Sequence, residues 1–526
     1  MKRFEVSALY PFLWALVPVL NRVQRNPGYV TLSDVAVVSA VMLAIAGVFY
    51  LLGAALLGRR AEGRLPAVCA FLGVLWFFGF DPLAAQLPQL PHHLSFVALA
   101  LAGGAATVGL VITLAHYPTL LRKAASFLTL SGAILVIRLA VAIPLAHARS
   151  HEIVARSQLL HDLARPIPGP AVVAPPLRDV YVIVLDEYAN EDVLQTVSGY
   201  DNSPFLDSLR ALGFYIPAAV NSNYAHTTLS LPSLLNAAHV YPAERELPPG
   251  SADPTLMDNL LARSRVARFL QSRGYRYVFF PSMWWGSTRS MSMADSVVDV
   301  WSGFHLQREL SRTEFRRNIR RSTIANYLYR DEPADGYFVK RTLEAVARLP
   351  AIEEPVFAFV HVLSPHWPYV FDPSCHISPR QRINRKKSYT DQIQCLNRLV
   401  LAAVTHLIRD SRVPPVILLQ GDHGSLMNSH WIKSNASARV EDVPPSAAWE
   451  RFGAFGAYYL PAGGAAQFGD SVTIVNVLGN VLRSYFGANL PREPDDRYLS
   501  VTGAPFRLRR VDPRWLASGS ARPNLR

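Results

Sequence analysis

Five apolar runs crowd the first 150 residues of this 526-residue chain, and nothing like them follows. They cover about 8–21 (ALYPFLWALVPVLN), 34–57 (DVAVVSAVMLAIAGVFYLLGAALL), 65–81 (LPAVCAFLGVLWFFGFD), 95–115 (SFVALALAGGAATVGLVITLA) and 125–146 (ASFLTLSGAILVIRLAVAIPLA). Crossing a bilayer takes roughly 17–25 apolar residues. The second, fourth and fifth runs meet that length, the third is marginal and the first is short. After the first run comes the polar stretch NRVQRNPG and no small-x-small cleavage site, so it reads as an uncleaved span and not a removed signal. The expected organisation is a transmembrane domain over 1–150, a proline-bearing linker over 151–177, a soluble domain over 178–505 and a basic tail over 506–526.

Short-loop charges set the orientation. With the N-terminus inside, the cytoplasmic segments carry Lys2, Arg3, Arg59, Arg60, Arg64, Arg122 and Lys123, against only Arg22 and Arg25 on the opposite side. The positive-inside rule then places the N-terminus in the cytoplasm, and five crossings put everything after about residue 147 on the outer face. The same bookkeeping explains the net charge of +13. The first 157 residues hold 12 basic and 5 acidic side chains, and the other 369 hold 40 and 34. The basic excess is mainly a topology signal, and no nucleic-acid partner is expected. Arg138 lies inside the fifth run, where a charge is costly and is expected to snorkel or pair, or to meet an anionic headgroup. With 50% hydrophobic residues and 17% charged, the chain is neither disordered nor wholly soluble. Three cysteines exclude a disulfide scaffold and a four-thiolate zinc site.

Beyond the prolines 166, 168, 170, 175 and 176 the pattern changes. VYVIVL (180–185), RYVFF (276–280), PVFAFVHVL (355–363) and PVILLQ (415–420) are continuous apolar runs of the kind buried on both faces of a parallel sheet. Helical patterns such as SPFLDSLRALG (203–213) and SYTDQIQCLNRLVLAAVTHLIRD (388–410) alternate with them, which predicts a doubly wound α/β domain. Ligands bind beyond the carboxyl ends of such strands. The first run ends in Asp186-Glu187, the third carries His361 and then Ser-Pro-His366, and the fourth leads into Gly421-Asp422-His423-Gly424. Carboxylate and imidazole groups from separate strands can converge on one divalent cation.

A nucleophile is also present. SNYAHTTLSLPSLLN (222–236) puts Thr227 and Thr228 just before a short helical pattern, where backbone N–H groups and the helix dipole favour a phosphate or sulfate. Metal coordination would make such a hydroxyl reactive at neutral pH; plain N-capping is the alternative role. Phe279, Phe280, Trp284 and Trp285 form an aromatic cluster after the second run, readable as core packing or as a lip for a lipid.

As an ordered set, VYVIVLDEYANEDVL, GYDNSPFLDSLRALGFY, SNYAHTTLSLPSLLN, FAFVHVLSPHWPYVFD, LLQGDHG and VNVLGNVLRSYFGANLP resemble the sulfatase-like branch of the alkaline phosphatase superfamily over roughly 178–500. The likeness is closest to membrane-anchored bacterial sulfatase-domain proteins, a group that includes lipoteichoic acid synthases and phosphoethanolamine transferases. The resemblance implies a bundle of about five transmembrane helices joined to an α/β, doubly wound, mostly parallel alkaline-phosphatase-like domain. It implies Asp186 as the first metal ligand with Glu187 as its alternative, Thr227 as nucleophile and ligand with Thr228 as fallback, and Asp422 and His423 as the metal pair. His366 would contact the transferred group or protonate the leaving oxygen, and His361 would support it.

The cofactor so implied is one divalent cation, Zn or Mn before Ca or Mg. The substrate would be a phospho-ester, less readily a sulfo-ester, of a membrane lipid or envelope glycan, handled outside the bacterial inner membrane. There is no Cys-x-Pro-x-Arg or Ser-x-Pro-x-Arg signature, so a formylglycine mechanism is not expected. Gly421 and Ser425 depart from the Ser-Asp-His-Gly-Glu usual in the transferases. Asp372 and His376 have the spacing of a second-metal pair in a loop-like context. Cys375 and Cys395 fall on the side assigned to the oxidising exterior, where a disulfide is admissible but not fixed by spacing; Cys69 reads as a packed residue within a span. The competing reading is a catalytically silent envelope protein that binds glycan or assists assembly.

Overall fold

The computed structural model describes residues 8–25, 30–58, 64–84, 86, 92–173, 175–282, 293–300, 313–325, 334–377, 385–427 and 439–520. The chain forms two compact units, one of Met1–His151 with Gly303–Arg330, the other of Glu152–Ser302 with Asp331–Arg526.

The first unit contains helices α1 (Tyr10–Arg25), α2 (Leu32–Leu57), α3 (Arg64–Ala84), α4 (His92–His116) and α5 (Pro118–Arg156). Three of them reach crossing length and hydropathy: α2, α4 over Phe96–His116, and α5; the apolar stretch Arg64–Phe80 is shorter, and α1 has 16 residues. All five expected runs are helical, but only three are long and apolar enough to span by themselves. Their outer faces carry Leu51, Leu56, Leu101, Phe127 and Ile137 exposed, the pattern of helices whose surroundings are themselves apolar. Arg138 lies on the exposed face of α5, and Cys69 is half-buried and unpaired with another cysteine. Helix α5 is 39 residues long, so the chain stays helical past 146, and Gln158–Ala164 adds a further helix. The expected linker therefore begins as helix and becomes irregular only near its prolines.

The stretch 303–330 was expected within the soluble domain, yet it groups with the helices. The reason is visible at helix Glu314–Arg321. Thr31 and Asp34 form a capping box at the start of α2 through Asp34 Oδ2. The other oxygen of Asp34 accepts from Arg316 Nε at 2.7 Å and from Thr313 Oγ1 at 3.1 Å. Ile319 joins the apolar cluster of Val19, Val38, Met42 and Phe77. Arg22 Nη1 donates to Asn318 O, and Ile324 N donates to Phe77 O.

The second unit is built on a seven-stranded sheet. Its strands are β1 (Val180–Leu185), β2 (Phe214–Tyr215), β4 (Arg276–Phe280), β5 (Ser296–Val297), β6 (Val356–Val362), β7 (Val416–Gly421) and β8 (Gly456–Tyr459), in the order β2-β8-β7-β1-β6-β4-β5. Strands β7, β1, β6, β4 and β5 are parallel; β8 and β2 add the antiparallel edge. Short strands β3 (Ala219–Asn221) and β9 (Ser471–Thr473) pair separately, as do β10 (Tyr498–Val501) and β11 (Ala504–Arg510). The four apolar runs are thus β1, β4, β6 and β7.

Alternation along β1 divides the core. Tyr181, Ile183 and Leu185 face one apolar cluster, while Val180, Val182 and Val184 face the other. Helix Arg385–Asp410 covers the first face with Tyr389, Ile393, Leu396, Val400, Val404 and Leu407, a spacing of threes and fours that lines one side of a helix. Helix Ile474–Phe486 covers the second with Val477, Leu478, Val481 and Leu482. Phe279 and Phe280 are each 1% exposed within β4, so they are core and not a lip; Trp284 and Trp285 lie outside the described residues. Most of the expected C-terminal tail is also folded: Phe506 in β11, Val511 just after it and Leu516 in helix Pro513–Ala517 are buried. Arginines alternating along β11 made this strand read as a basic tail, although the chain between them is apolar enough to pack.

Candidate metal centre

Register brings the site together. Leu185 lies level with Val362 on one side and Gly421 on the other, so Asp186 and Asp422 emerge side by side at the carboxyl edge. Asp186 N donates to Val362 O at 3.0 Å, extending the ladder by one step. Glu187 then reverses the chain at φ 65°, a left-handed conformation that costs a non-glycine residue roughly 1–3 kcal/mol. Neighbours hold it there: its N–H donates to Asp422 Oδ1 at 3.0 Å, and its carbonyl accepts from Tyr389 Oη at 2.7 Å.

The glycines around Asp422-His423 answer to the same crowding. A Cβ on Gly421 would sit 2.4 Å from Tyr188 O, and one on Gly424 would sit 2.1 Å from Glu450 O. At Gly421 the backbone passes too close for a side chain. Ser425, the other departure, donates to Glu450 Oε1 at 2.6 Å.

Thr227 is the first residue of helix Thr227–Asn236. Its Oγ1 lies 3.0 Å from His423 Nε2. Ser222 Oγ ties the two loops together, 2.8 Å from Asp422 O and 2.6 Å from Tyr224 O. Thr228, one position further on, is half-buried.

Asp186, Asp422 and His423 each offer one ligand atom, all within 4.8 Å of one another, and all three residues are buried. His423 Nδ1 faces Gly424 O at 3.1 Å. A proton there leaves the Nε2 lone pair facing inward, 3.1 Å from Asp422 Oδ2 and 3.9 Å from Asp186 Oδ1. Three acceptors converging out of water are an arrangement that a divalent cation suits. Burial, and next the charge of Asp186, push the Asp422 carboxyl well above its ordinary value. The donor set thus fits one cation.

His361, on β6 and fully buried, places Nε2 3.3 Å from Asp186 Oδ2, while its Nδ1 meets Ser282 Oγ at 3.1 Å. From there it would orient the carboxylate from behind, as outer partners of metal ligands do. Burial lowers its pKa to about 4 against the opposing pull of Asp422. His366 puts Nε2 3.4 Å from Glu187 Oε2 and stays partly open to solvent. Asp186, Glu187 and His366 form a second metal-capable grouping that shares Asp186 with the first. Asp186, Glu187, Thr227, His361, His366, Asp422 and His423, all expected from sequence, lie together here.

The loop bearing His366 is held by Gln392, which accepts from Val370 N and donates to the carbonyls of Pro365 and His366. It is also held by a Cys375–Cys395 disulfide. Asp372 and His376 bond to each other in an exposed turn, 3.2 Å apart.

Sequence reasoning missed Arg451 and Glu450. Both are buried at the end of helix Pro445–Phe452. Arg451 Nε donates to Ala225 O at 2.6 Å, Nη1 donates to Gly424 O at 2.8 Å and lies 3.8 Å from Glu187 Oε1, and Nη2 lies 3.0 Å from His423 Nε2. The one sequence signal was an adjacent acid and base between apolar neighbours in AAWERFGAF.

A family profile described as Sulfatase matches residues 178–449. Among solved structures, the chain is similar to the C-terminal periplasmic domain of EcEptC from Escherichia coli, with 11% identity, covering 68% of this chain and 99% of that one, at TM-score 0.44. It is also similar to the lipoteichoic acid synthase LtaP from Listeria monocytogenes, with 12% identity, covering 65% and 82%, at TM-score 0.39. No curated protein matches the chain.

Proposed function

The chain belongs to the sulfatase family, and from that premise we propose that it is a membrane-anchored, metal-dependent phosphoester hydrolase or phospho-group transferase. Its substrates are phospho-esters, less readily sulfo-esters, of membrane lipids or envelope glycans. The observation that carries this reading is the hydroxyl of Thr227, first in its helix and 3.0 Å from His423 Nε2.

Asp186, Asp422 and His423, with Thr227 and Glu187 beside them, would hold one divalent cation, Zn or Mn before Ca or Mg. That cation, when bound, supplies Lewis-acid stabilisation of the alkoxide and of the anionic oxygens. The remaining chemistry belongs to the chain. Thr227 Oγ releases its proton to solvent and attacks phosphorus, the P–O bond to the leaving alcohol breaks, and a phosphothreonine forms that keeps any second ester substituent of the donor. His366 passes a proton to the leaving oxygen, and His361 keeps Asp186 in place. Water or an acceptor hydroxyl then attacks the phosphothreonine and releases Thr227. The open helix N-terminus favours an anion at this spot throughout.

The anchor is the multi-pass N-terminal bundle of a bacterial inner membrane, with the N-terminus cytoplasmic and residues beyond about 147 on the periplasmic or extracellular side. Asp34 at the start of α2 pairs with Arg316, which follows all five helices in sequence. That pairing supports putting the start of α2 and the later chain on one face.

The test uses the full-length protein in detergent with Mn²⁺ or Zn²⁺ and a generic phosphodiester or phospholipid donor. Turnover is expected, with the donor's phosphoryl group and its remaining ester substituent trapped on the Thr227 peptide by mass spectrometry, and Thr227→Ala should lose both. Full turnover by Thr227→Ala removes Thr227 from the mechanism. A protein that takes up no divalent cation after loading favours the silent, glycan-binding reading.

A further inference from the structure

Arg451 is the one guanidinium among the described residues that reaches His423, and it does so from a fully buried position. The side chain is 2% exposed. Two of its nitrogens are fixed by carbonyls of the nucleophile loop and the metal-pair loop: Nε by Ala225 O at 2.6 Å and Nη1 by Gly424 O at 2.8 Å. Nη2 points into the site, 3.0 Å from His423 Nε2, and Thr227 Oγ1 lies 3.0 Å from the same atom. The nucleophile and the guanidinium thus share one acceptor. A lone pair given over to coordination no longer accepts hydrogen bonds, and a buried, charged donor then needs a new acceptor.

We propose that Arg451 is a catalytic, anion-binding residue whose Nη2 passes from His423 Nε2 to a non-bridging oxygen of the group attacked by Thr227 once the site is loaded. The inference rests on the phosphoester reading above and adds to it a residue and a coupling. Arginine suits the task because its fork stays charged and planar while two of its arms are already committed to fixed carbonyls. Only the third arm moves its bond, so little side-chain entropy is lost when the anion arrives. Glu187, whose Oε1 lies 3.8 Å from Nη1, keeps the guanidinium partly balanced before the anion comes. Loading and anion binding become linked: the free arm is available to an oxygen only when His423 is engaged elsewhere, and by reciprocity a bound anion tightens the hold on the cation.

Inorganic phosphate and Mn²⁺ are the probes, titrated calorimetrically into the full-length protein in detergent. In the wild type, phosphate is expected to bind far more tightly to the Mn²⁺-loaded chain than to the metal-free one. Arg451→Gln and Arg451→Lys, both checked for folding by thermal melting, should weaken phosphate binding to the loaded chain by about 10- to 100-fold, the range of one lost charge-assisted bond. Mn²⁺ affinity without phosphate should stay within about threefold. If the glutamine variant does not fold, the lysine variant, which keeps the charge, carries the measurement. Addition of guanidinium ion to Arg451→Ala should restore part of the lost affinity. A folded variant that binds phosphate as tightly as the wild type overturns the proposal. So does a variant in which Mn²⁺ and phosphate weaken equally, since that marks a purely structural residue. A wild-type chain that binds neither probe defeats the parent reading instead.

Discussion

Asp34 and Arg316 stand 282 positions apart in sequence and form an ion pair of 2.7 Å with side chains no more than 4% exposed. The pair joins the first turn of α2 to a helix encoded between strands of the globular unit. Removing one partner of a buried pair leaves an uncompensated charge and typically costs about 3–5 kcal/mol, whereas replacing both with apolar residues can be nearly neutral. Arg316→Ala should therefore lower the melting temperature in detergent sharply, and Asp34→Leu with Arg316→Met should recover much of the loss. Additive losses in the double variant would mean that the two residues do not act as a pair.

The same pair makes a topological prediction. Ser33, exposed next to Asp34, is expected to face outward. In a Cys69→Ala background, Ser33→Cys should react with a membrane-impermeant maleimide in intact spheroplasts. Labelling only after the membrane is broken would reverse the proposed orientation.

Gly424 has no room for a side chain, because a Cβ would meet Glu450 O at 2.1 Å. Overpacking usually costs about 1–3 kcal/mol, and here the obstacle is backbone that cannot swing aside. Gly424→Ala should both destabilise the protein and displace His423, seen as weakened Mn²⁺ uptake. Gly47→Ala, with nothing within 4 Å of the added carbon, is the control and should be close to silent in both measurements.

The Cys375–Cys395 bond closes a loop of 20 positions and ties the end of the segment after His366 to helix Arg385–Asp410. Closing a loop of this size is worth about 3 kcal/mol. The double serine variant should melt lower than the wild type, and a reductant should lower the wild type alone. Equal melting of the two proteins under oxidising conditions would show that the bond contributes nothing.

His361 has an ordinary value of 6.5 and is held near 4 by burial. Between those values the unfolded chain takes up a proton that the folded chain refuses, so stability falls as pH drops from about 6.5 towards 4. The size is on the order of 3 kcal/mol across the window. His361→Gln should flatten this acid-side slope in thermal melts of the metal-free protein. An unchanged slope would assign the acid lability to other groups.

Much of this was legible along the chain, for local reasons. The apolar runs became helices because a run of that length has nowhere else to put its side chains. Strands β1, β4, β6 and β7 were visible because both faces of a central parallel strand are buried, which leaves no polar alternation to confuse them. Asp186, Asp422 and His423 were visible because they follow such strands directly. Arg451 was not, since its meaning depends on carbonyls of Ala225 and Gly424 far away in sequence. Strand β11 and the helix at 314–321 were hidden for a related reason. Their arginines look like solvated charge until the acids and apolar partners that receive them are known.

The sequence by itself determined the two-part character of the protein, the parallel sheet and the residue types gathered at its edge, because hydrophobic period and strand ends are properties of neighbours in the chain. Only the tertiary structure decided that Leu185, Val362 and Gly421 share one level, that Thr227 and Arg451 meet the same nitrogen of His423, and that residues 313–325 pack with the N-terminal helices. Those outcomes depend on strand register, on backbone too close at Gly421 and Gly424 for any side chain, and on a buried charge finding its partner across 282 positions.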